Sequence, residues 1–79
     1  MLTISNMAKY DDEYREFLSR LRAARIEAGL TQKQVAKILN KAQSYVSKCE
    51  SGERRVDVVE LRAFASLYKK SIQDFLGTS

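Results

Sequence analysis

Residues 29–55 read GLTQKQVAKILNKAQSYVSKCESGERR, and this stretch decides the fold. Thr31 followed three places on by Gln34 is a capping box, the reciprocal hydrogen-bonding pattern that opens a helix. Leu30 just before it is positioned to pack back on Val35 as a hydrophobic staple. Val35, Ala36 and Leu39 then recur at helical steps, which predicts a two-turn helix from about Gln32 to Leu39. Asn40 tolerates the left-handed backbone conformation and ends it. A third helix is expected from about Gln43 to Ser51, closed by Gly52. Its apolar positions are only Val46 and Cys49, with part of Tyr45. Gln43, Ser44, Ser47, Lys48 and Glu50 remain, so the helix buries a narrow stripe and leaves a wide polar face.

The periodicity extends in both directions. Upstream, Asp11, Asp12 and Glu13 supply the negative charge that a helix N-terminus favours. Tyr14, Phe17, Leu18, Leu21, Arg25 and Ala28 follow at steps of three and four, one face of a long first helix ending at Gly29. Residues 1–10 lack a clear period and read as an N-terminal arm, with the domain spanning 11–79. Downstream, Asp57 and Glu60 make another capping box, and Val58, Leu61, Phe64, Ala65 and Tyr68 repeat at helical spacing. Ser71 and Asp74 introduce a last short helix carrying Ile72, Phe75 and Leu76. The expected fold class is all-α, a bundle of about five helices with no strand pattern.

Composition bounds the function. Seventy-nine residues fit one domain. A domain of this length buries only about 60% of its unfolded surface, so subunit pairing would help it. The absence of histidine and the single cysteine exclude the usual Cys/His zinc site and any catalysis with a histidine base. No cofactor, metal or enzymatic activity is expected. One cysteine suits a reducing cytoplasm, no secretion signal is expected from residues 1–9, and the sequence holds no apolar run of about 20 residues. The net charge of +4 is unevenly placed: residues 20–55 carry +6, the residues before them −2 and those after them zero. Concentrated positive charge attracts a phosphate backbone, and it is also what an ordinary solvated helical surface shows.

Two short helices joined by a tight turn, the second polar and flanked by basic residues, can place a helix in the DNA major groove. In order and spacing, Gly29-Leu30-Thr31-Gln32, Val35-Ala36, Gln43-Ser44-Tyr45-Val46-Ser47-Lys48 and Glu50-Ser51-Gly52-Glu53-Arg54-Arg55 resemble the Cro/C1-type (XRE) helix-turn-helix family, the motif lying at about 32–51. Leu61, Phe64, Ala65, Tyr68 and Leu76 are similar to that family's later core positions. The resemblance runs from about Arg22 to Leu76.

It implies a lambda-repressor-like domain that binds double-stranded DNA. Gln43, Ser44, Ser47 and Lys48 would face base edges. Arg54 and Arg55 would grip phosphates. Gln32 would contact a phosphate or buttress the third helix, and Tyr45 would either reach a phosphate through its hydroxyl or sit partly in the core. Arg25 and Glu50 would form a structural ion pair. Glutamine can pair bidentately with adenine and lysine can reach guanine, so the residue types suit the role.

The pattern has four departures: Asn40 and Lys41 in the turn, Ala42 where a capping serine or threonine is common, and Cys49 where an aromatic is common. For Cys49 the expected role is a small buried hydrophobe rather than a redox sensor. The function expected is a sequence-specific transcriptional regulator, a cytoplasmic homodimeric repressor on a palindromic operator, pairing through Ile72, Phe75 and Leu76 unless these are ordinary core. No small-molecule ligand domain and no membrane contact are expected. The competing reading is a protein-interaction module, antitoxin-like, whose third helix docks on a partner without reading bases.

Overall fold

The computed structural model describes residues 4–77, with side-chain environments from Asp11 to Gly77. Five helices follow one another: α1 Ile4–Glu27, α2 Gln32–Leu39, α3 Gln43–Ser51, α4 Val58–Tyr68 and α5 Ile72–Leu76. There is no strand among the described residues. Three capping boxes start three of the helices. Thr31 and Gln34 exchange hydrogen bonds of 3.1 and 2.9 Å at α2. Asp57 and Glu60 do so at 2.7 and 3.0 Å at α4. Ser71 and Asp74 do the same at α5. Each box satisfies backbone donors that a helix N-terminus leaves free. The box at α5 also holds the Asp74 carboxyl below its ordinary range, because the Ser71 backbone N–H donates to it.

α1 differs from the sequence expectation at its start. The stretch read as an arm is helical from Ile4, and residues 1–3 lie outside the described residues. No proline or glycine precedes Gly29. A helix nucleated on the packed turns therefore meets nothing that stops it, and each further residue adds one hydrogen bond. Asp11, Asp12 and Glu13 are interior positions of α1, not its first turn.

α1 packs on α3, α4 and α5, while α2 packs on α3 and α4 on α5. Leu21, Val35, Val46, Cys49, Phe64 and Phe75 are fully buried where these helices meet. Two lines of aromatic rings cross this core. Tyr14, Phe17 and Phe75 join α1 to α5, with centroids 5.3 and 6.5 Å apart. Tyr45, Phe64 and Tyr68 join α3 to α4, with centroids 6.3 and 5.9 Å apart. At these separations aromatic pairs add stabilisation beyond the area they bury.

Three positions correct the expected core. Ala24, not Ala28, faces inward on α1; Val58 is exposed at the start of α4; and Leu76 is exposed while Phe75 is buried. Phe75 belongs to the core, so it is unavailable as part of a pairing seam. Ile72 is half-buried against the same cluster, which leaves Leu76 as the exposed member of that trio.

Candidate nucleic-acid interface

The α2–turn–α3 unit is held from inside. Val35 and Ala36 on α2 and Val46 and Cys49 on α3 are buried. The turn closes by a Schellman arrangement: Asn40 adopts the left-handed conformation (φ 58°), and the Asn40 and Lys41 N–H groups donate to Lys37 and Ala36 carbonyls. The fixed length of the turn then aims α3. Ala42 occupies its N-cap with extended backbone and makes no side-chain cap bond. The start of α3 thus keeps backbone donors unclaimed by any cap side chain.

The far end of α3 is bolted down by charge. Arg25 on α1 donates from Nε to Glu50 Oε2 at 2.6 Å and from Nη2 to Oε1 at 3.2 Å, a two-pronged pair. A third donor, Nη1, meets the Leu30 carbonyl at 2.9 Å. Gln32 Nε2 donates to Glu50 Oε1 at 3.0 Å. The Arg25 and Glu50 side chains are only 11% and 4% exposed, so breaking this pair leaves a charge with little water to receive it. The hydrogen bond that Arg25 donates to Glu50 raises the pKa of Arg25 above its ordinary value. Cys49 is buried beside this end, and burial pushes its thiol up, away from the reactive thiolate.

Against that anchored side stands an open one. Gln43, Ser44 and Lys48 are exposed, and Ser47, on the same face one turn on from Gln43 and Ser44, is half-buried. Gln32, for which phosphate contact or buttressing was expected, has its amide nitrogen on Glu50 and so buttresses α3. Tyr45 is half-buried and spends its hydroxyl on Glu60, to which it donates at 3.1 Å. The Tyr45 ring carries two cations: Arg54 lies 4.9 Å and Lys41 5.2 Å from its centroid. Burial raises the Tyr45 pKa well above the ordinary phenol value.

The loop after α3 presents Arg54 and Arg55, both exposed. Arg54 Nη1 pairs with Glu60 Oε2 at 2.7 Å, and this bond holds the Glu60 carboxyl at about 2. Arg55 stacks over the Tyr14 ring at 4.3 Å and has no ion pair among the described residues. The Tyr14 hydroxyl accepts the Val56 N–H at 3.0 Å, tying α1 to the loop. Of the nine cations in 20–55, Arg20, Arg25 and Arg54 are in ion pairs; Arg22, Lys33, Lys37, Lys41, Lys48 and Arg55 are exposed and in none among the described residues.

Sequence reasoning missed Tyr14, Lys41 and Glu60 as parts of this surface. Lys41 and Glu60 carried only local signals, a turn position and a cap. Tyr14 carried only its place on the apolar face.

An exposed polar helix, seated by its partner helix and bordered by cations, defines a helix-turn-helix protein of the DNA-binding kind. Comparison with known proteins agrees. A family model described as helix-turn-helix matches residues 21–75. An XRE-family like protein from Pseudomonas syringae pv. tomato str. DC3000 is 35% identical, superposes with a TM-score of 0.86, and is matched over 94% of this chain and 90% of its own. No curated protein matches the chain. The chain therefore belongs to the Cro/C1-type XRE helix-turn-helix family, a family of DNA-binding regulators.

Proposed function

We propose that the chain is a sequence-specific, cytoplasmic transcriptional regulator, without enzymatic activity, that represses by binding a palindromic operator as a homodimer. Gln43, Ser44, Ser47 and Lys48 face base edges from α3, with Gln43 and Lys48 giving the most selective contacts. Arg54 and Arg55 grip phosphates beyond the helix. Gln32 contributes its α2 N-terminal backbone N–H to a phosphate while its side chain braces Glu50. Tyr45 serves as the ring beneath Arg54 and Lys41. Pairing runs through Leu76 and the outer side of Ile72. The observation that carries this reading is the division of α3: Val46 and Cys49 buried, Gln43, Ser44 and Lys48 exposed.

Selection of bound sites from random duplexes at two salt concentrations tests it. The expected result is a two-fold symmetric motif with half-sites about 34–36 Å apart, and affinity that falls linearly with salt on logarithmic axes. Recovery of no motif, with affinity indifferent to salt, overturns the reading in favour of a partner-docking module. Sedimentation of wild type and Leu76→Asp tests the pairing: the variant is expected to shift toward monomer, and an unchanged dimer moves the seam elsewhere.

A further inference from the structure

Arg54 and Arg55 are consecutive in a loop, yet each side chain rests on a ring from a different helix. Arg54 lies over Tyr45 of α3 and Arg55 over Tyr14 of α1. Both tyrosines are fixed at their far ends. The Tyr45 hydroxyl donates to Glu60, whose other oxygen accepts the Asp57 N–H at the start of α4. The Tyr14 hydroxyl accepts the N–H of Val56, the residue after Arg55. A free arginine on a surface loop samples many rotamers and loses that freedom when it meets a phosphate. One already stacked on a fixed ring loses less.

We propose that Tyr14 and Tyr45 are positioning residues for the phosphate grip, each seating one arginine, and that the Tyr14–Arg55 unit supplies the larger share of backbone affinity. The inequality follows from charge. Arg54 shares its guanidinium with Glu60 at 2.7 Å, so a phosphate approaching it meets a partly neutralised cation. Arg55 has the ring and no carboxylate partner among the described residues. Nothing about Tyr14 in the sequence marks it for this role, since it occupies an ordinary position on the inward face of α1. The inference rests on the DNA-binding reading above.

The test is a double-mutant cycle on a mixed-sequence duplex, followed by fluorescence anisotropy between about 50 and 200 mM salt. Arg55→Ala is expected to lower affinity about tenfold and to flatten the logarithmic salt slope by roughly 0.9, the loss of one phosphate contact. Tyr14→Leu is expected to lower affinity about three- to tenfold, and the double variant to fall no more than about twofold below Arg55→Ala. Losses that multiply overturn the positioning role, because a merely structural tyrosine acts independently of Arg55. Thermal melting checks that Tyr14→Leu folds. Should it not, Tyr14→Phe, which keeps the ring and frees only Val56, enters the same cycle with a smaller but equally non-additive loss expected; multiplicative losses there also overturn the role. Arg54→Ala is expected to flatten the slope less than Arg55→Ala, and equal slopes contradict the unequal division. A wild-type affinity that ignores salt defeats the DNA reading itself, whereas a salt-dependent affinity with multiplicative losses defeats only the role of the tyrosines.

Discussion

The two ends of α3 are built on opposite plans. Its C-terminal end is buried and over-determined: Cys49 in the core, Glu50 held by Arg25 and Gln32, and Gly52 in the left-handed conformation with Leu18 pressed against it. The N-terminal end has an uncapped first turn at Ala42 and exposed Gln43 and Ser44. Stability is concentrated in the inward-facing residues of the C-terminal end. The end with spare donors is the one that can meet one. A small domain with little stability to spare can afford a bare helix end only because the other end is fastened.

Breaking the fastened end gives the largest effect. Glu50→Ala leaves Arg25 buried without its partner, and the expected cost is about 3–5 kcal/mol, enough to unfold much of a domain of this size. Thermal melting measures it. Replacing both residues, Arg25→Met with Glu50→Leu, is expected to restore most of that loss, since an apolar pair of similar volume avoids the desolvation cost. A double variant as unstable as the single one contradicts the assignment of that cost to an unpaired charge.

Gly52→Ala comes next. The glycine sits at φ 88°, and an added Cβ would lie 2.9 Å from Leu18 Cδ1. The expected loss is about 1–2 kcal/mol from the left-handed backbone alone, with more from displacing Leu18. Urea denaturation measures it, and a neutral result means that the helix end is looser than described.

At the open end the sign reverses. Ala42→Ser supplies the missing cap and is expected to stabilise by about 1 kcal/mol. No such gain indicates that the Ala42 backbone cannot place a hydroxyl over the first turn.

A pH series sharpens the flank of the open end. The Arg54 guanidinium draws the Glu60 carboxyl from its ordinary 4.5 to about 2. A carboxylate with a depressed folded value stabilises fully above the unfolded value and loses that contribution as pH falls through the folded one. The stability difference between wild type and Glu60→Gln is therefore expected to be constant above 4.5 and to shrink from there toward 2. A difference that stays level down to acid pH contradicts the Arg54–Glu60 pair.

What was legible in the sequence was what is written locally. The helix-turn-helix and the two helices after it were readable because Thr31–Gln34, Asp57–Glu60 and Ser71–Asp74 are each three residues apart and Asn40 marks its own turn. The start of α1 was not, because a helix running on without a stop signal has no local punctuation at its far end. The end of α4 carried no glycine either: Lys69 takes the left-handed conformation at φ 58° and donates to Ser66. Phe75 and Leu76 differ by one position, and on a five-residue helix periodicity alone does not say which turns inward. For the candidate interface, the polar face of α3 and the Arg25–Glu50 pair were anticipated from family resemblance. The seats of Arg54 and Arg55 were not, because they depend on Glu60 and Tyr14, brought close only by the packing of α1 and α4.

The claim that the open end of α3 reads sequence is tested most directly by Gln43→Ala. Affinities of wild type and variant are compared across single base-pair changes in a selected site. Unchanged thermal stability is expected, with a loss of about 1–3 kcal/mol of discrimination at one base pair in each half-site. An unaltered preference at every position, or an equal weakening at all of them, would contradict it.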